Sequence, residues 1–156
     1  MVAQTRVNSI VLTLELPKNR AETGILGKPA ALDAAGKKSE SARAMEQTLF
    51  SKIIARKIPA KIAYEDERYI AIHDISPQAP VHLLVIAKKV IPTLNDLTPQ
   101  DAELVGGMFL VAAKLMKQMG HSDYRTVFNC GLGAQQTVFH LHLHVLAGRP
   151  FNWPPG

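Results

Sequence analysis

Three of the six histidines of this chain lie within one ten-residue stretch, residues 137–146, where they alternate with apolar residues. They are His140, His142 and His144, and leucine or valine follows each of them. Successive side chains of a β-strand leave opposite faces of the sheet, so a period of two predicts a strand. We therefore expect the three imidazoles to line one face while the aliphatic side chains pack against the other.

Spacing along such a strand distinguishes the three histidines. A rise of about 3.3 Å per residue separates the backbones of His140 and His144 by about 13 Å, with His142 midway. Zinc needs its donors about 2.0 Å away, so all three cannot share one ion on a regular strand, whereas two neighbours could bind it with a third ligand from elsewhere. Only His142 has an imidazole neighbour on both sides, which makes it the natural nucleophile or ligand.

Composition and charge exclude several classes of protein. The 156 residues are 47% hydrophobic and 20% charged, as in an ordinary soluble globular domain. The longest apolar run, residues 104–113, is far shorter than the roughly 18 residues needed to cross a bilayer, so we expect no membrane contact. Residues 46–156 carry eleven basic and nine acidic side chains, and this balance argues against a nucleic-acid groove.

Cys130 is the only cysteine, so no intrachain disulfide can form and a reducing, cytoplasmic compartment is the simpler expectation. Residues 1–45 differ in composition from the rest, with prolines, glycines and an Ala/Lys/Ser/Glu-rich stretch, which predicts a poorly ordered extension. The three arginines of this extension keep organellar targeting open as an alternative, although its acidic residues count against it.

From residue 45 onwards the patterns predict one domain with helices and a mostly antiparallel sheet. A short helix is expected over residues 45–57, because apolar residues recur at helical spacing and Pro59 stops the helix. A long helix should begin at Thr98-Pro99, a capping hydroxyl followed by a proline, and end at Gly120. Apolar runs predict five strands, at residues 62–66, 69–74, 81–87, 124–130 and 138–146. This order of elements favours an α+β fold.

The loop before the histidine strand, residues 131–137, is a candidate anion site. Such a loop can direct backbone N–H groups and the Thr137 hydroxyl at a phosphate, although glycine-containing loops are more often simple turns. A set of structural, non-catalytic histidines on a half-exposed face is the competing interpretation of the strand. Three histidines in register on an otherwise apolar strand weigh against that interpretation.

Several segments together resemble the histidine triad (HIT) superfamily and, within it, the Hint branch. Residues 136–145 are similar to the signature His-φ-His-φ-His-φ-φ, in which φ is apolar, and the ending Trp153-Pro154-Pro155-Gly156 is typical of Hint proteins. The segments Ile58-Pro59-Ala60 and Asp74 to Pro80, together with His82, also match in order and spacing. The resemblance covers residues 46–156, including the Trp-Pro-Pro-Gly tail, and leaves residues 1–45 out.

The resemblance implies a purine nucleoside phosphoramidase that hydrolyses adenosine or guanosine 5'-phosphoramidates and aminoacyl adenylates. It implies no metal or other cofactor, and a homodimer whose five-stranded sheet continues across the two subunits. His142 would attack the α-phosphorus to form a nucleotidyl-histidine that water hydrolyses, and His82, His140 and His144 would orient it, hold its tautomer and handle protons. The binding residues it implies are Asn129, Gln136 and Thr137 for the phosphate, Asp74 and Ile75 for the ribose, Phe50, Ile53 and Ile58 for the base, and Trp153 near the partner's site.

Three positions depart from the usual pattern of the family. Ala134-Gln135 replaces a Gly-Gly pair, so a side chain stands where the conformational freedom of glycine or a close approach of phosphate could be needed. Ile72 stands where a larger aromatic residue is common, and Thr137 replaces serine but keeps the hydroxyl. We expect these departures to change rate and substrate preference more than the type of reaction.

Three alternatives stay open from the sequence. The Trp-Pro-Pro-Gly ending and Thr137 disfavour a relative that hydrolyses dinucleoside polyphosphates or transfers nucleotidyl groups. A non-catalytic nucleotide-binding or protein-interaction dimer gains weight from Gln135 and from the extension. A zinc site built from a His-x-His pair and His82 is disfavoured, because no obvious orienting carboxylate stands beside these histidines in the sequence.

Overall fold

The computed structural model describes residues 48–155, so the predicted extension and the start of the predicted short helix lie outside the described residues. None of the helices in this range has the length and apolar character needed to cross a bilayer. Short 3₁₀ helices occur in the connections, at Leu94–Asp96, Pro99–Asp101 and Leu132–Ala134. The main elements in chain order are α1 (Leu49–Ile54), β1 (Ile62–Glu65), β2 (Tyr69–His73), β3 (Val81–Ala87), α2 (Ala102–Gln118), β4 (Tyr124–Val127) and β5 (His142–Ala147).

The five strands form one antiparallel sheet in the order β1-β2-β3-β5-β4. A tight acidic turn joins β1 to β2, and the carboxylate of Asp66 closes it by accepting the N–H groups of Arg68 and Tyr69 at 2.8 and 2.7 Å. The connection from β4 to β5 inserts β5 between β3 and the edge strand β4. The predicted α+β fold with five antiparallel strands, one long helix and one short helix is confirmed.

The boundaries of several elements differ from the predicted ones. β5 begins at His142 and not at residue 138, because the chain bends first: the His140 N–H donates to the carbonyl of Val138 at 2.9 Å. β4 ends at Val127, three residues before its predicted end. α1 ends at Ile54, and Arg56 follows it with a left-handed φ of 60°. The central histidine cluster therefore lies partly in a bend and not wholly on a strand.

The long helix α2 is preceded by the predicted start signal. Both the N–H and the hydroxyl of Thr98 donate to the carboxylate of Asp101, at 3.0 and 2.7 Å, and Pro99 occupies the first turn. Gly120 follows the helix with a φ of 77°, a value that favours glycine. The buried side chains of α2 are Met108, Val111, Ala112, Leu115 and Met116.

The two faces of the sheet carry different hydrophobic clusters. The larger cluster packs α2 against alternate residues of β3 and β5, including Leu83, Val85, Leu143 and Val145. Strand alternation directs His142 and His144 to the opposite face. There a smaller cluster joins α1 to the sheet, and its buried members are Phe50, Ile53, Ile70, Ile72, Leu84 and Ile86. The histidines therefore lie on the face that α1 covers.

Candidate active site

Four histidines from β3, β5 and the bend before β5 form one cluster. β3 and β5 are hydrogen-bonded neighbours, which brings His82 beside His144, with ring centroids 5.2 Å apart. The centroids of His142 and His144 are 4.9 Å apart. His82, His140 and His142 are buried, and His144 is half-buried. The fold thus assembles the three histidines of the sequence motif with the predicted fourth one.

The imidazole of His142 has a defined tautomer. Its Nδ1 lies 2.7 Å from the backbone carbonyl oxygen of His140. Because a carbonyl can only accept, Nδ1 carries the proton and Nε2 keeps its lone pair. Burial lowers the pKa of His142 from its usual 6.5, against the opposing effects of this hydrogen bond and of Asp74. At physiological pH the ring is neutral with an unprotonated Nε2, the state that a nucleophile needs.

His140 is held at both of its ring nitrogens. Nε2 lies 2.7 Å from the carbonyl oxygen of Ala87, and Nδ1 lies 2.8 Å from the hydroxyl oxygen of Thr48. Nε2 therefore donates, and Nδ1 accepts from the hydroxyl. Burial lowers the pKa of His140, so the ring is neutral. The ring of Phe50 packs edge-on near the His140 and His142 rings, with centroids 5.9 and 5.0 Å away.

A chain of hydrogen bonds fixes the tautomers of His82 and His144. The Gln78 N–H donates to Nδ1 of His82 at 3.2 Å, which leaves the His82 proton on Nε2. That Nε2 lies 2.9 Å from Nδ1 of His144 and 3.5 Å from a carboxylate oxygen of Asp74. His144 consequently accepts at Nδ1 and carries its own proton on Nε2.

Both rings of this pair are neutral at physiological pH. Burial lowers the pKa of His144 to about 4, and His142 and His82 add to the shift because a second positive charge nearby is unfavourable. Burial also lowers the pKa of His82, while the negative charge of Asp74 opposes the shift. Asp74 is thus the charged group that would stabilise a proton entering the pair.

Asp74, His82 and His144 are close enough to be considered as metal ligands, because one ligand atom of each lies within 4.8 Å of the others. No carboxylate was obvious beside these histidines in the sequence, but the fold brings Asp74 to His82. The donor set nevertheless fits zinc poorly. His82 would have to move its proton from Nε2 to Nδ1, where the Gln78 N–H already donates. The hydrogen bonds suit a proton-carrying pair better than a metal centre.

The side chain of Gln136 organises the predicted phosphate loop. It is 1% exposed, its Oε1 accepts the Gly131 N–H at 2.9 Å, and its Nε2 donates to the carbonyls of Pro92 and Val138 at 2.7 and 3.2 Å. Both amide hydrogens are therefore committed. A direct contact of this amide with phosphate, as the sequence predicts, would break one of these bonds. Of the other predicted phosphate residues, Thr137 is exposed and Asn129 is half-buried.

Gln135 adopts the left-handed conformation, with φ 65° and ψ 27°. Its N–H donates to the carbonyl of Leu132 at 2.9 Å, which closes the turn. A residue with a Cβ is strained in this region by about 1–2 kcal/mol, whereas glycine is not. The predicted departure from the Gly-Gly pattern therefore falls on a position whose backbone conformation favours glycine.

The predicted ribose and base residues differ in accessibility. Asp74 is half-buried, and its Oδ1 accepts the Ser76 N–H at 2.7 Å. Ile75 is 98% exposed. Phe50 and Ile53 are buried in the smaller cluster, and Ile58 packs against its edge. Of the apolar residues predicted for the base, Phe50 lies beside the histidines, with its ring packed near that of His142.

Trp153 lies next to β4, the strand at one edge of the sheet. It is 85% exposed and lines a groove of about 510 Å³ with Pro155 and residues 125–128. The guanidinium of Arg125 donates to the carbonyl of Asn152 at 2.6 Å, which attaches the tail to β4. The structure therefore groups Trp153 with the sheet edge and not with the four-histidine cluster of its own chain.

Four partners of the histidines were missed from the sequence: the hydroxyl of Thr48, the N–H of Gln78 and the carbonyls of Ala87 and His140. Thr48 precedes an apolar helix, and a capping hydroxyl there was the only available signal. Its contact with His140 spans 92 residues of chain. Backbone donors and acceptors leave no trace in a side-chain pattern, so the other three partners could not have been found.

Comparison with known proteins shows what this chain is similar to. Residues 47–151 match the family model described as "Scavenger mRNA decapping enzyme C-term binding". The chain is 54% identical over 112 residues to an uncharacterised HIT-like protein of Synechocystis sp. The aligned residues cover 71% of this chain and 98% of that protein. A HIT family hydrolase from Legionella pneumophila Philadelphia 1 superposes with a TM-score of 0.68 at 48% identity, covering 69% of this chain and 98% of that one. A zinc-bound histidine triad family protein from Mycobacterium smegmatis superposes with a TM-score of 0.60 at 33% identity. The superposition covers 70% of this chain and 80% of that one.

Proposed function

The chain belongs to the histidine triad (HIT) superfamily, and from this premise we propose that it is a purine nucleoside 5'-phosphoramidate and aminoacyl-adenylate hydrolase of the Hint branch. The observation that carries the proposal is the state of His142: a neutral ring whose Nδ1 proton is held by the His140 carbonyl at 2.7 Å and whose Nε2 is unprotonated. The fold is that of HIT family hydrolases. The ending Trp153-Pro154-Pro155-Gly156 supports the Hint branch in particular.

In the first step, Nε2 of His142 attacks the α-phosphorus. An Nε2–P bond forms while the P–N bond of a phosphoramidate, or the bond from phosphorus to the acyl oxygen of an aminoacyl adenylate, breaks. The attacking ring becomes cationic, and the His140 carbonyl that accepts its Nδ1 proton stabilises this charge. The products of this step are a nucleotidyl-histidine and the leaving amine or carboxylate.

A leaving amine needs a proton, and the His82–His144 pair is placed to deliver it. His144 presents an Nε2–H, and a proton that enters the pair from solvent is stabilised by Asp74, 3.5 Å from His82. The Nε2–H of His144 passes its proton to the leaving nitrogen while the Nε2 proton of His82 crosses the 2.9 Å contact to Nδ1 of His144, and His82 takes up one proton from solvent, so the pair stays neutral. His140 has no such role, because both of its nitrogens are engaged.

In the second step, water attacks the phosphorus and the Nε2–P bond breaks. The proton of the water passes to the His82–His144 pair and then to solvent, and His142 returns to its neutral state. Gln136 holds the loop whose other groups receive the phosphate oxygens. We assign the remaining contacts to Asn129 and Thr137 for the phosphate, Asp74 and Ile75 for the ribose, and Phe50, Ile53 and Ile58 for the base.

We assign the working unit to a homodimer. β4 is the last strand of the sheet, so its outer edge has no strand neighbour among the described residues. Two neighbouring apolar side chains of α2 are exposed: Phe109 is 43% exposed and packs on Phe128, the residue that follows β4, and Leu110 is 73% exposed. Pairing of β4 with its copy would continue the sheet and cover these residues. Trp153, next to β4, would then lie near the partner's site.

Hydrolysis of adenosine 5'-phosphoramidate by the wild type and by His142→Ala tests the proposal. We expect turnover by the wild type, a loss of about a thousandfold or more in His142→Ala, and wild-type turnover in the matched control His121→Ala, which changes a histidine outside the cluster. Addition of a chelator should leave the wild-type rate unchanged. Equal rates for the wild type and His142→Ala would contradict the proposal.

A metal-dependent reaction is the second candidate, favoured by the proximity of Asp74, His82 and His144 and by the zinc-bound relative. It predicts stoichiometric zinc after purification and loss of turnover with the chelator.

Two further outcomes would indicate a function other than phosphoramidate hydrolysis. Faster turnover of diadenosine polyphosphate than of phosphoramidate would indicate a dinucleoside polyphosphate hydrolase. Tight nucleotide binding in calorimetry without any turnover would indicate a non-catalytic module.

A further inference from the structure

A polar contact joins the first turn of α1 to the histidine cluster. The hydroxyl oxygen of Thr48 lies 2.8 Å from Nδ1 of His140, although the two residues are 92 positions apart. Thr48 is also the N-cap of α1, where its Oγ1 accepts the N–H of Ser51 at 3.0 Å. One hydroxyl therefore serves both as a helix cap and as a partner of the first histidine.

The direction of this contact follows from the other hydrogen bonds of the two residues. Nε2 of His140 donates to the Ala87 carbonyl at 2.7 Å, so Nδ1 of the neutral ring has only a lone pair to offer. Thr48 must therefore donate its hydroxyl proton to Nδ1, while its oxygen accepts from Ser51. The hydroxyl is fixed in one orientation because its single donor and an acceptor lone pair are both used.

His140 in turn sets the state of His142. The backbone carbonyl of His140 accepts the Nδ1 proton of His142 at 2.7 Å, which leaves the reacting Nε2 unprotonated. His140 lies in the bend before β5, so the strand ladder does not hold this carbonyl in place. The ring is held by the two side-chain bonds to Ala87 and Thr48, with Phe50 packed against it.

We propose that Thr48 is a positioning residue, whose hydroxyl fixes the ring of His140 and, through the His140 carbonyl, the tautomer and orientation of His142. Its effect on turnover rests on the proposed function, whereas its effect on the two imidazoles does not. Loss of the hydroxyl leaves Nδ1 of a buried ring without a donor and frees the ring to rotate. The carbonyl that faces His142 then loses its fixed position.

Two variants separate the contact with His140 from the helix cap. Thr48→Val removes both functions at nearly constant volume. Thr48→Asp keeps a capping carboxylate but replaces the hydroxyl donor by a charged acceptor, so it preserves the helix start, while Nδ1 of His140 either loses its partner or takes up a proton. Thr48→Ser keeps both functions and is the conservative variant. Lys52→Gly is the control for a weakened α1, since this exposed residue has no contact with the histidines.

The readouts are kcat and KM for adenosine 5'-phosphoramidate and the imidazole ¹⁵N chemical shifts of His140 and His142. For Thr48→Val and Thr48→Asp we expect kcat to fall about tenfold, the size of one lost hydrogen bond, with KM nearly unchanged. The His140 shifts should leave the pattern of a ring protonated at Nε2 and hydrogen-bonded at Nδ1. Thr48→Ser should restore both readouts, and Lys52→Gly should change neither.

The possible results test the positioning role of Thr48 and the proposed hydrolase function separately. Wild-type kcat and unchanged imidazole shifts in Thr48→Asp would overturn the positioning role, even if Thr48→Val failed to fold. The same loss of kcat in Lys52→Gly would also overturn it, because a weakened helix would then explain the effect. If the wild type turned over no phosphoramidate, the proposed function would fail, and the imidazole shifts would still decide the role of Thr48.

Discussion

At the scale of single residues, burial sets the charge of each histidine and hydrogen bonds set its proton position. The pKa values of His82, His140, His142 and His144 are all lowered, in each case mainly by burial. The backbone groups of Gln78, His140 and Ala87 then select which nitrogen carries the proton. Of these four neutral rings, only that of His142 carries its proton on Nδ1, and this distinguishes the proposed nucleophile from the other three.

Acid should destabilise the folded protein because of these histidines. The pKa of His144 is about 4 in the folded chain and near 6.5 when unfolded, so between these values the unfolded state binds more protons. The free energy of unfolding is thus greatest above pH 6.5 and falls as the pH drops towards 4. His144→Asn should flatten this dependence, measured by urea denaturation at several pH values. An unchanged slope in that variant would show that His144 does not carry the effect.

The strained backbone of Gln135 predicts a stabilising substitution. Gln135→Gly relieves a left-handed φ of 65°, and we expect the free energy of unfolding to rise by about 0.5–1 kcal/mol after the entropy cost of a glycine. Ala134→Gly, one residue earlier and without a positive φ, is the matched control and should lower it by about 0.5–1 kcal/mol. Urea denaturation of both variants measures the difference. Equal changes of the same sign would contradict the strain at Gln135.

At the scale of elements, α2 must approach β2 closely, and Gly107 permits this. A Cβ added at Gly107 would lie 2.0 Å from the hydroxyl oxygen of Tyr69, a buried side chain that donates to the Leu104 carbonyl at 2.9 Å. Gly107→Ala should therefore lower the free energy of unfolding by about 1–3 kcal/mol through overpacking. Gly106 has open space around it, so Gly106→Ala should raise it by about 0.5–1 kcal/mol.

Thermal and urea denaturation of these two adjacent variants gives a direct comparison within one helix. Opposite signs are the expected result. A stabilised Gly107→Ala would show that Tyr69 can move aside without cost.

The bounds of the helices and strands show which parts of the fold could be predicted from the sequence. The hairpin of β1 and β2, strand β3 and the start signal of α2 were predicted within a residue or so, because alternation, turn residues and caps act locally. The start of β5 was wrong, because residues 138–141 continue the alternation while the chain bends. Contacts far away in sequence hold that bend: the Leu141 N–H donates to Ile91 at 2.7 Å, and the Gln136 amide donates to Pro92.

The site, too, could be predicted from the sequence only in part, because some of its contacts join residues that are far apart in the sequence. The motif identified three of the four histidines, the family resemblance added His82, and the spacing argument singled out His142 as the central one. The choice of tautomer could not be predicted, because it depends on the carbonyls of His140 and Ala87 and on the N–H of Gln78. The contact of Asp74 with His82 was also hidden, because a turn brings together groups eight positions apart in the sequence.

At the scale of the whole molecule, the proposed homodimer predicts a monomer-forming variant. Leu110 is 73% exposed on α2, next in sequence to Phe109, and a charge buried there in the proposed interface would oppose association. Leu110→Glu should shift the wild-type dimer towards monomer in light scattering. Leu132→Glu is the matched control, since Leu132 is 75% exposed in the phosphate loop, and it should stay dimeric. A monomeric wild type would contradict the dimer itself.

The covalent role proposed for His142 can be tested by trapping the nucleotidyl-histidine intermediate. The enzyme would be mixed with adenosine 5'-phosphoramidate, quenched in neutral denaturant within one turnover, digested and analysed by mass spectrometry. We expect one adenylyl group on the peptide that contains residues 137–146, attached to His142, and none in His142→Ala. Rapid turnover with no adenylated peptide, or an adenylyl group on another residue, would contradict it.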